Sequence, residues 1–334
     1  MEDAAVYITA QGARLARVGE RMLVRSREGK ILNDVPFFRV QEIICMGSVD
    51  VTHSALMALQ RRSIDVVFLT MDGRFKCRVS NLQPRAVRCR MRQYERASDP
   101  EFRLRVSREM VRGKLGISRV WLMRQNRNRD EILAGQVIGV KDCLDALDDA
   151  KTVDELMGIE GTAARYHFEG LRCLLKQDLG FAGRVRRPPT DPVNAMLSFG
   201  YTLLFNRVLS AVERAGLDPM LSNLHAIDDR RASLALDLME EFRTLVVDST
   251  VLSLVNRIEM VPGDFRVEDG KGVRMSEGAI ARFVKGIQSR LSDSVTHPVN
   301  GKSYALKDLI TQQAWQYKSV VLGEAAEYKP VTTR

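Results

Sequence analysis

The chain has 334 residues, 45% hydrophobic and 28% charged, with a net charge of +9, which suits one large or two medium domains. Its five cysteines, Cys45, Cys77, Cys89, Cys143 and Cys173, form no CxxC pair, which excludes a zinc cluster and points to reduced thiols in a cytoplasmic protein. The N-terminus, MEDAAVYITA, carries acids where a signal peptide needs basic residues, and no apolar run approaches the roughly 18 residues of a membrane span, so secretion and membrane insertion are not expected.

Residues 1–80 read as β-rich. AVYITA, ARLARVG, RMLVRS, FFRVQEIICM and DVVFLT are short apolar or alternating runs punctuated by Gly12, Gly19, Gly29, Gly47 and Gly73. Gly19-Glu20 lies between two of them as a hairpin turn. One helix interrupts, with Thr52 or Ser54 as the N-cap of ALMALQRR. Pro84 marks a change of character. Fourteen arginines and lysines stand between Pro84 and Arg129 against four acids, a surplus larger than that of the whole chain, so the remainder is close to neutral. A concentrated arginine surplus is the footprint of a polyanion partner. Leu104, Val106, Met110, Val111, Leu115, Val120 and Trp121 suit a long amphipathic helix there, which Gly113 and Gly116 threaten to interrupt. Asp130–Asp149 and Thr152–Met157 read as short helices and GIEGTAARYHFEGLRCLLKQ as a further one. Asp191 caps a buried apolar helix that begins at Pro192 and ends at Gly216. SLALDLMEEFRTLVVD and TVLSLVNRIEMV continue helical, PGDFRVEDGKGVRM is a turn or small hairpin, and two helices close the chain. The fold class expected is α+β: a small N-terminal β domain with one inserted helix, residues 1–83, followed by a larger all-α domain, residues 84–334.

Three places in the helical part present metal-type ligands. Glu160 stands among small residues in GIEGTAAR, where backbone or ligand can approach closely, or simply serves as an acid at a helix start. His225 ends MLSNLH and is either a ligand or a cap residue. Asp237, Glu240 and Glu241 share a helical face at spacings of three and four, and acids so placed need a cation between them. Arg243 or a metal ion would serve. A carboxylate–histidine–carboxylate set of this kind suits Mg²⁺ or Mn²⁺ and the clamping of phosphate oxygens. Ser198 and Ser233 have no histidine at a telling spacing, so a serine hydrolase is unsupported. At 6% aromatic residues, a single-strand binder based on stacking is weakly supported too.

Several stretches in order resemble the CRISPR-associated integrase family, the nuclease subunit of the spacer-acquisition complex. They are YITAQGARLARVGERMLV, VPFFRVQEIICMGSVDVTHSALMALQRRSIDVVFLTMDGRF, GIEGTAARYHF, RRPPTDPVNAMLSFGYTLL, GLDPMLSNLH and SLALDLMEEFRTLVVD. The chain departs from the family pattern at Ser222-Asn223, where Gly-Phe is usual. The resemblance implies that Glu160, His225 and Glu240 are metal ligands, that Asp237 is a supporting acid and that Arg243 faces phosphate, leaving Glu241 solvated. Asn194 and Tyr201 fall on buried polar positions of the family's pattern. Arg85, Arg88, Arg92, Arg112, Lys114 and Arg165 fall on a DNA-facing basic surface. The implied activity is endonuclease and integrase: a 3′-hydroxyl of a short incoming DNA, the spacer precursor, attacks a phosphodiester at the edge of a CRISPR repeat. The implied partners are double-stranded DNA, a second copy of the chain paired through the β domain, and a small ferredoxin-like subunit. A non-catalytic architectural DNA binder and a branched-DNA nuclease or resolvase are the alternatives.

Overall fold

Short apolar runs separated by glycine turns give the first part of the chain its sheets, and helical periodicity governs the rest. The computed structural model describes residues 4–71, 73–80, 86–127, 132–226, 228, 231–270, 272–296 and 301–332. It separates into two units, Met1–Leu82 and Gln83–Arg334. The first is β-rich and the second mostly helical, which bears out the α+β class.

The first unit runs β1 (Ala4–Ile8), β2 (Ala13–Val18), β3 (Arg21–Arg25), β4 (Ile31–Pro36), β5 (Val40–Met46), β6 (Val49–Val51), α1 (His53–Arg61), β7 (Asp65–Leu69) and β8 (Phe75–Val79). Two four-stranded sheets result, in the orders β1-β5-β7-β8 and β4-β3-β2-β6. In the first, β5 pairs parallel with both β1 and β7, while β8 is antiparallel. Strands in the middle of a parallel sheet are covered on both faces and read as continuous apolar runs. Ile43, Ile44, Cys45 and Met46 of β5 and Val66, Val67 and Leu69 of β7 are accordingly buried. In the second sheet Val18 pairs with Arg21 across the expected hairpin, with Gly19 at φ +58°. Thr52 caps α1, its Oγ1 accepting from the Ala55 N–H at 3.3 Å. Val6, Leu15, Met22, Phe37, Ile43, Leu59 and Val66 form one core cluster.

The second unit runs α2 (Val87–Ala97), α3 (Pro100–Asn126), α4 (Ala134–Asp145), α5 (Val153–Leu174), α6 (Pro192–Arg214) and α7 (Ser233–Phe242). A short π-helical segment, Arg243–Asp248, joins α7 to α8 (Ser249–Asn256). The hairpin β9 (Phe265–Glu268) and β10 (Gly272–Met275), α9 (Glu277–Ser292), the hairpin β11 (Ser294–Thr296) and β12 (Ser303–Ala305), and α10 (Leu306–Leu322) follow.

Four local outcomes position the site. Asp99 and Pro100 start α3, with Asp99 Oδ1 accepting from the N–H of Glu101 at 3.0 Å and of Phe102 at 3.2 Å. The helix then passes Gly113 and Gly116 without a break. A Cβ on Gly113 would collide with Pro330 and crowd Glu241, so that glycine admits a close approach at a cost in helix propensity. The segments expected as separate helices at Thr152–Met157 and beyond are one helix, α5, capped by Thr152, whose Oγ1 accepts from the Glu155 N–H at 3.2 Å. Glu160 therefore lies in the helix interior, away from the N–H groups of a helix start. Finally, α6 is long and apolar enough to cross a membrane, contrary to the expectation that no run qualifies, but Leu197, Leu203, Leu204 and Val208 are buried as core of this unit. Helix α3 packs against α4, α5 and α7, and α6 against α7 and α10. Three packed helices thus bring distant positions of the chain to one place.

Candidate active site

Asp237 organises the loop that carries the histidine. It is fully buried on α7. Its Oδ2 accepts from the backbone N–H of Asn223 at 2.7 Å and of Leu224 at 3.0 Å. Its Oδ1 accepts from the backbone N–H of His225 at 3.1 Å and lies 2.7 Å from His225 Nδ1. An acceptor at Nδ1 places the ring proton there and leaves Nε2 as the free lone pair. That Nε2 lies 3.9 Å from Glu240 Oε1. Arg103, from α3, supports the same loop by donating to the Asn223 carbonyl at 3.2 Å. Asp237 is thus a support that holds the imidazole rather than a group aimed at the same point as Glu240.

Glu240 and Glu160, from α7 and α5, meet around the ammonium of Lys114, from α3. Lys114 Nζ bonds Glu160 Oε1 and lies 2.6 Å from Glu240 Oε2. Arg243 Nε is 2.9 Å from the same Glu240 oxygen. Burial drives the Glu240 carboxyl up, but Arg243, Lys114 and His225 outweigh it and hold the group well below the usual carboxylate range. Burial likewise drives Lys114 down, and the two glutamates return it above its ordinary value. Glu240 Oε2 is faced by both cations, Lys114 at 2.6 Å and Arg243 at 2.9 Å. The set is enclosed but reachable: the side chains of Lys114, Glu160, His225 and Arg243 are 16–18% exposed.

Two carboxylates and an imidazole whose other nitrogen is held by an acid form a suitable donor set for a hard divalent cation. Among the described residues no three such side chains converge on one point. The cation between the carboxylates is Lys114, and its ammonium must leave for an ion to take that place.

Two expectations are corrected here. Lys114 does not face outward on a basic surface; the contacts of α3 with α5 and α7 turn it into the acid pair. Glu241 is not solvated but fully buried. Its Oε1 accepts from Tyr328 Oη at 2.5 Å. Its Oε2 accepts from the Val331 N–H at 2.7 Å and from Gln313 Nε2 at 3.1 Å. It binds the C-terminal tail to α7. Burial pushes its carboxyl up to about 7 in spite of these three bonds.

Tyr201 and Asp248 stand beside Arg243. The Tyr201 hydroxyl donates to Asp248 Oδ1 at 2.5 Å, and its ring centre lies 4.7 Å from the Arg243 guanidinium carbon. His167 Nε2 lies 2.9 Å from Asp248 Oδ2, and His167 Nδ1 2.8 Å from Ser118 Oγ. All four side chains are buried, so this Ser–His–Asp order anchors the π-helical segment and exposes no nucleophile. No sequence spacing announced this network, whose members come from α3, α5, α6 and the end of the π segment.

The basic stretch is partly spent inside the fold. Arg108 donates to the carbonyls of Leu147 at 3.0 Å and Ala150 at 2.8 Å. Arg112 is paired with Glu109 at 3.2 Å and Asp148 at 2.6 Å. Arg88 and Arg92 on α2 and Arg165 on α5 are exposed. Arg85 lies outside the described residues.

A family model described as CRISPR associated protein Cas1 matches residues 6–289. The chain is 33% identical to the CRISPR-associated endonuclease Cas1 3 of Thermus thermophilus over 331 residues, 98% of this chain and 97% of that one. A solved Cas1 protein from Thermotoga maritima superposes with a TM-score of 0.82 at 25% identity, covering 100% of both chains. A casposase bound to its integration product superposes with a TM-score of 0.87 at 22% identity, covering 98% of this chain and 93% of that one, a likeness of fold.

Proposed function

This chain belongs to the CRISPR-associated Cas1 family, and we propose that it is a divalent-metal-dependent DNA endonuclease and integrase of CRISPR adaptation, which joins short foreign DNA into a repeat array. The observation that carries the reading is that Glu160 and Glu240 share one cation, the Lys114 ammonium, while His225 Nε2 lies 3.9 Å from Glu240, with Asp237 and Arg243 in support. In the reaction a 3′-hydroxyl oxygen forms a bond to phosphorus as the existing bond from phosphorus to its O3′ breaks, so no nucleotide is hydrolysed. An Mg²⁺ or Mn²⁺ ion held by Glu160, Glu240 and His225 Nε2 would supply charge stabilisation at the phosphoryl oxygens. Asp237 fixes the imidazole through Nδ1 and thereby keeps Nε2 turned toward Glu240. Arg243 lies beside Glu240 and steadies negative charge on the phosphate. The exposed Arg88, Arg92 and Arg165 offer contacts to the backbone of double-stranded DNA, both spacer precursor and repeat. The partners that complete this reading are a second copy of the chain, paired through residues 1–83, and a small ferredoxin-like subunit. The five free cysteines accord with a cytoplasmic setting.

The test separates joining from binding. In Glu160→Ala and Glu240→Ala, strand transfer into a repeat-containing plasmid is expected to fall by at least about 10³-fold while DNA affinity changes by less than tenfold. Joining that persists in both variants would overturn the assignment of the reaction to this cluster. Cutting of branched DNA without strand-transfer products, with the partner subunit present, would point to a resolvase.

A further inference from the structure

Arg184 lies in the loop before α6 and takes no part in the Glu160–His225–Glu240 cluster. Its Nη1 donates to Asn194 Oδ1 at 2.9 Å and to the Val185 carbonyl at 2.6 Å, and its Nη2 donates to Ser198 Oγ at 3.1 Å. All three acceptors are neutral, and Arg184 makes no ion pair among the described residues. Its guanidinium carbon lies 5.5 Å from the centre of the Tyr201 ring, the same ring that carries Arg243 at 4.7 Å. Two guanidinium groups on one aromatic ring repel each other. Burial, together with the charges of Arg186 and Arg243, lowers the Arg184 pKa.

A half-buried arginine tied only to neutral groups is expensive unless an anion completes it. The fold nevertheless invests in its placement. Asn194 is fully buried and all its polar capacity is used on this loop: Nδ2 donates to the Gly183 carbonyl at 2.8 Å and to Asp191 Oδ2 at 2.6 Å, and Oδ1 accepts from the Val185 N–H at 2.9 Å as well as from Arg184. Tyr201 is itself locked by Asp248. Arg184 is therefore held by Asn194, by Ser198 and by the ring. Three of the five guanidinium N–H groups have protein partners, and among the described residues Nε–H and one Nη2–H have none.

We propose that Arg184 binds a backbone phosphate of the DNA substrate next to the phosphate that Arg243 faces, and that Asn194 is its positioning residue. This rests on the reading of the Glu160–His225–Glu240 cluster as a DNA-joining site. The two arginines contact one ring, which places Arg184 beside the group that faces phosphate in that reading. A bidentate guanidinium–phosphate contact also supplies the counter-charge that the loop lacks.

The experiment measures binding of a fluorescein-labelled three-armed DNA junction in EDTA, with single phosphates around the branch replaced in turn by neutral methylphosphonates. For the wild-type protein one position is expected to cost about tenfold in affinity. Arg184→Gln should weaken binding of unmodified DNA by a similar factor and become indifferent to methylphosphonate at that position, while other positions keep their wild-type sensitivity. Arg184→Lys, which retains the charge, should keep the position dependence at reduced strength. Asn194→Ala should blunt the same position only, with helicity and thermal midpoint recorded alongside. Wild-type sensitivity at every position in Arg184→Gln, or in Arg184→Lys and Asn194→Ala alike should Arg184→Gln not fold, would overturn the proposal. Binding is read apart from joining, so a wild-type protein that shows the position effect here but yields no strand-transfer products in the plasmid assay would overturn the integrase reading and leave the phosphate contact standing.

Discussion

Lys114 is the residue whose place in the fold explains most about the site. An ammonium between two glutamates in a mostly enclosed spot offsets a repulsion that would otherwise be costly. Removing one partner from such an arrangement costs about 3–5 kcal/mol, because the others remain in place without it. Lys114→Met should therefore lower the thermal midpoint in EDTA. It should also increase the rise in midpoint produced by millimolar Mn²⁺, since the ion no longer competes with the ammonium. Differential scanning fluorimetry checks both, and an equal or smaller Mn²⁺ response in the variant would contradict the competition. Little of this was legible beforehand. The acids at 237, 240 and 241 are visible from helical spacing, and so is their need for a cation. Which cation serves depends on the faces that α3, α5 and α7 present to one another, and spacing along one helix carries no record of that.

At the scale of elements, α7 is fixed along its length by different neighbours. Asp237 holds the histidine loop, Glu240 faces the cluster, and Glu241 ties down the tail through Tyr328 and Val331. Glu241 makes the last of these ties sensitive to pH. Its carboxyl moves from an ordinary 4.5 up to about 7 on folding. A raised pKa means that the folded chain holds the proton more tightly than the unfolded one. The stabilisation is thus complete below about pH 4.5 and is lost as pH rises toward 7, by up to about 3 kcal/mol in all. Urea midpoints between pH 4.5 and 8 should fall with this extra slope in the wild type and lack it in Glu241→Gln; parallel curves would refute the assignment. The elements themselves were largely readable, because caps and turns are local: Thr52, Asp191 and the Gly19 hairpin stand where their side chains and dihedral angles require. The burial of Glu241 was not, since its partners arrive from Gln313 and beyond. The continuity of α5 is not local either: the helix runs through Gly158 and Gly161, which propensity disfavours, and packs against α3 and α4.

For the whole molecule, the charge surplus is the property that sequence conveys best and structure refines most. The count over Pro84–Arg129 treats its arginines alike, whereas Arg103, Arg108, Arg112 and Lys114 are engaged by neighbours. The remaining exposed cations should dominate the salt dependence of DNA binding. Replacing Arg88, Arg92 and Arg165 together by Gln should reduce the slope of log K against log salt by about 1 for each phosphate that is no longer neutralised, up to about 2, because Arg92 is already paired with Glu95 at 2.6 Å. Arg112→Gln should leave the slope almost unchanged, since Glu109 and Asp148 already neutralise it. Fluorescence anisotropy from 50 to 300 mM KCl, on the order of the range in which counterion release is resolved, measures these slopes. A steeper loss in Arg112→Gln than in the triple variant would reverse the assignment of the binding face.

The ammonium of Lys114 also sets a thermodynamic linkage. Whatever displaces it from Glu160 and Glu240 leaves a positive charge without its partners, at the edge of the site proposed to bind a polyanion. Displacement and polyanion binding must then favour one another by the same factor, whichever comes first. Without that displacement, the Lys114 ammonium offsets the two carboxylates from within the fold.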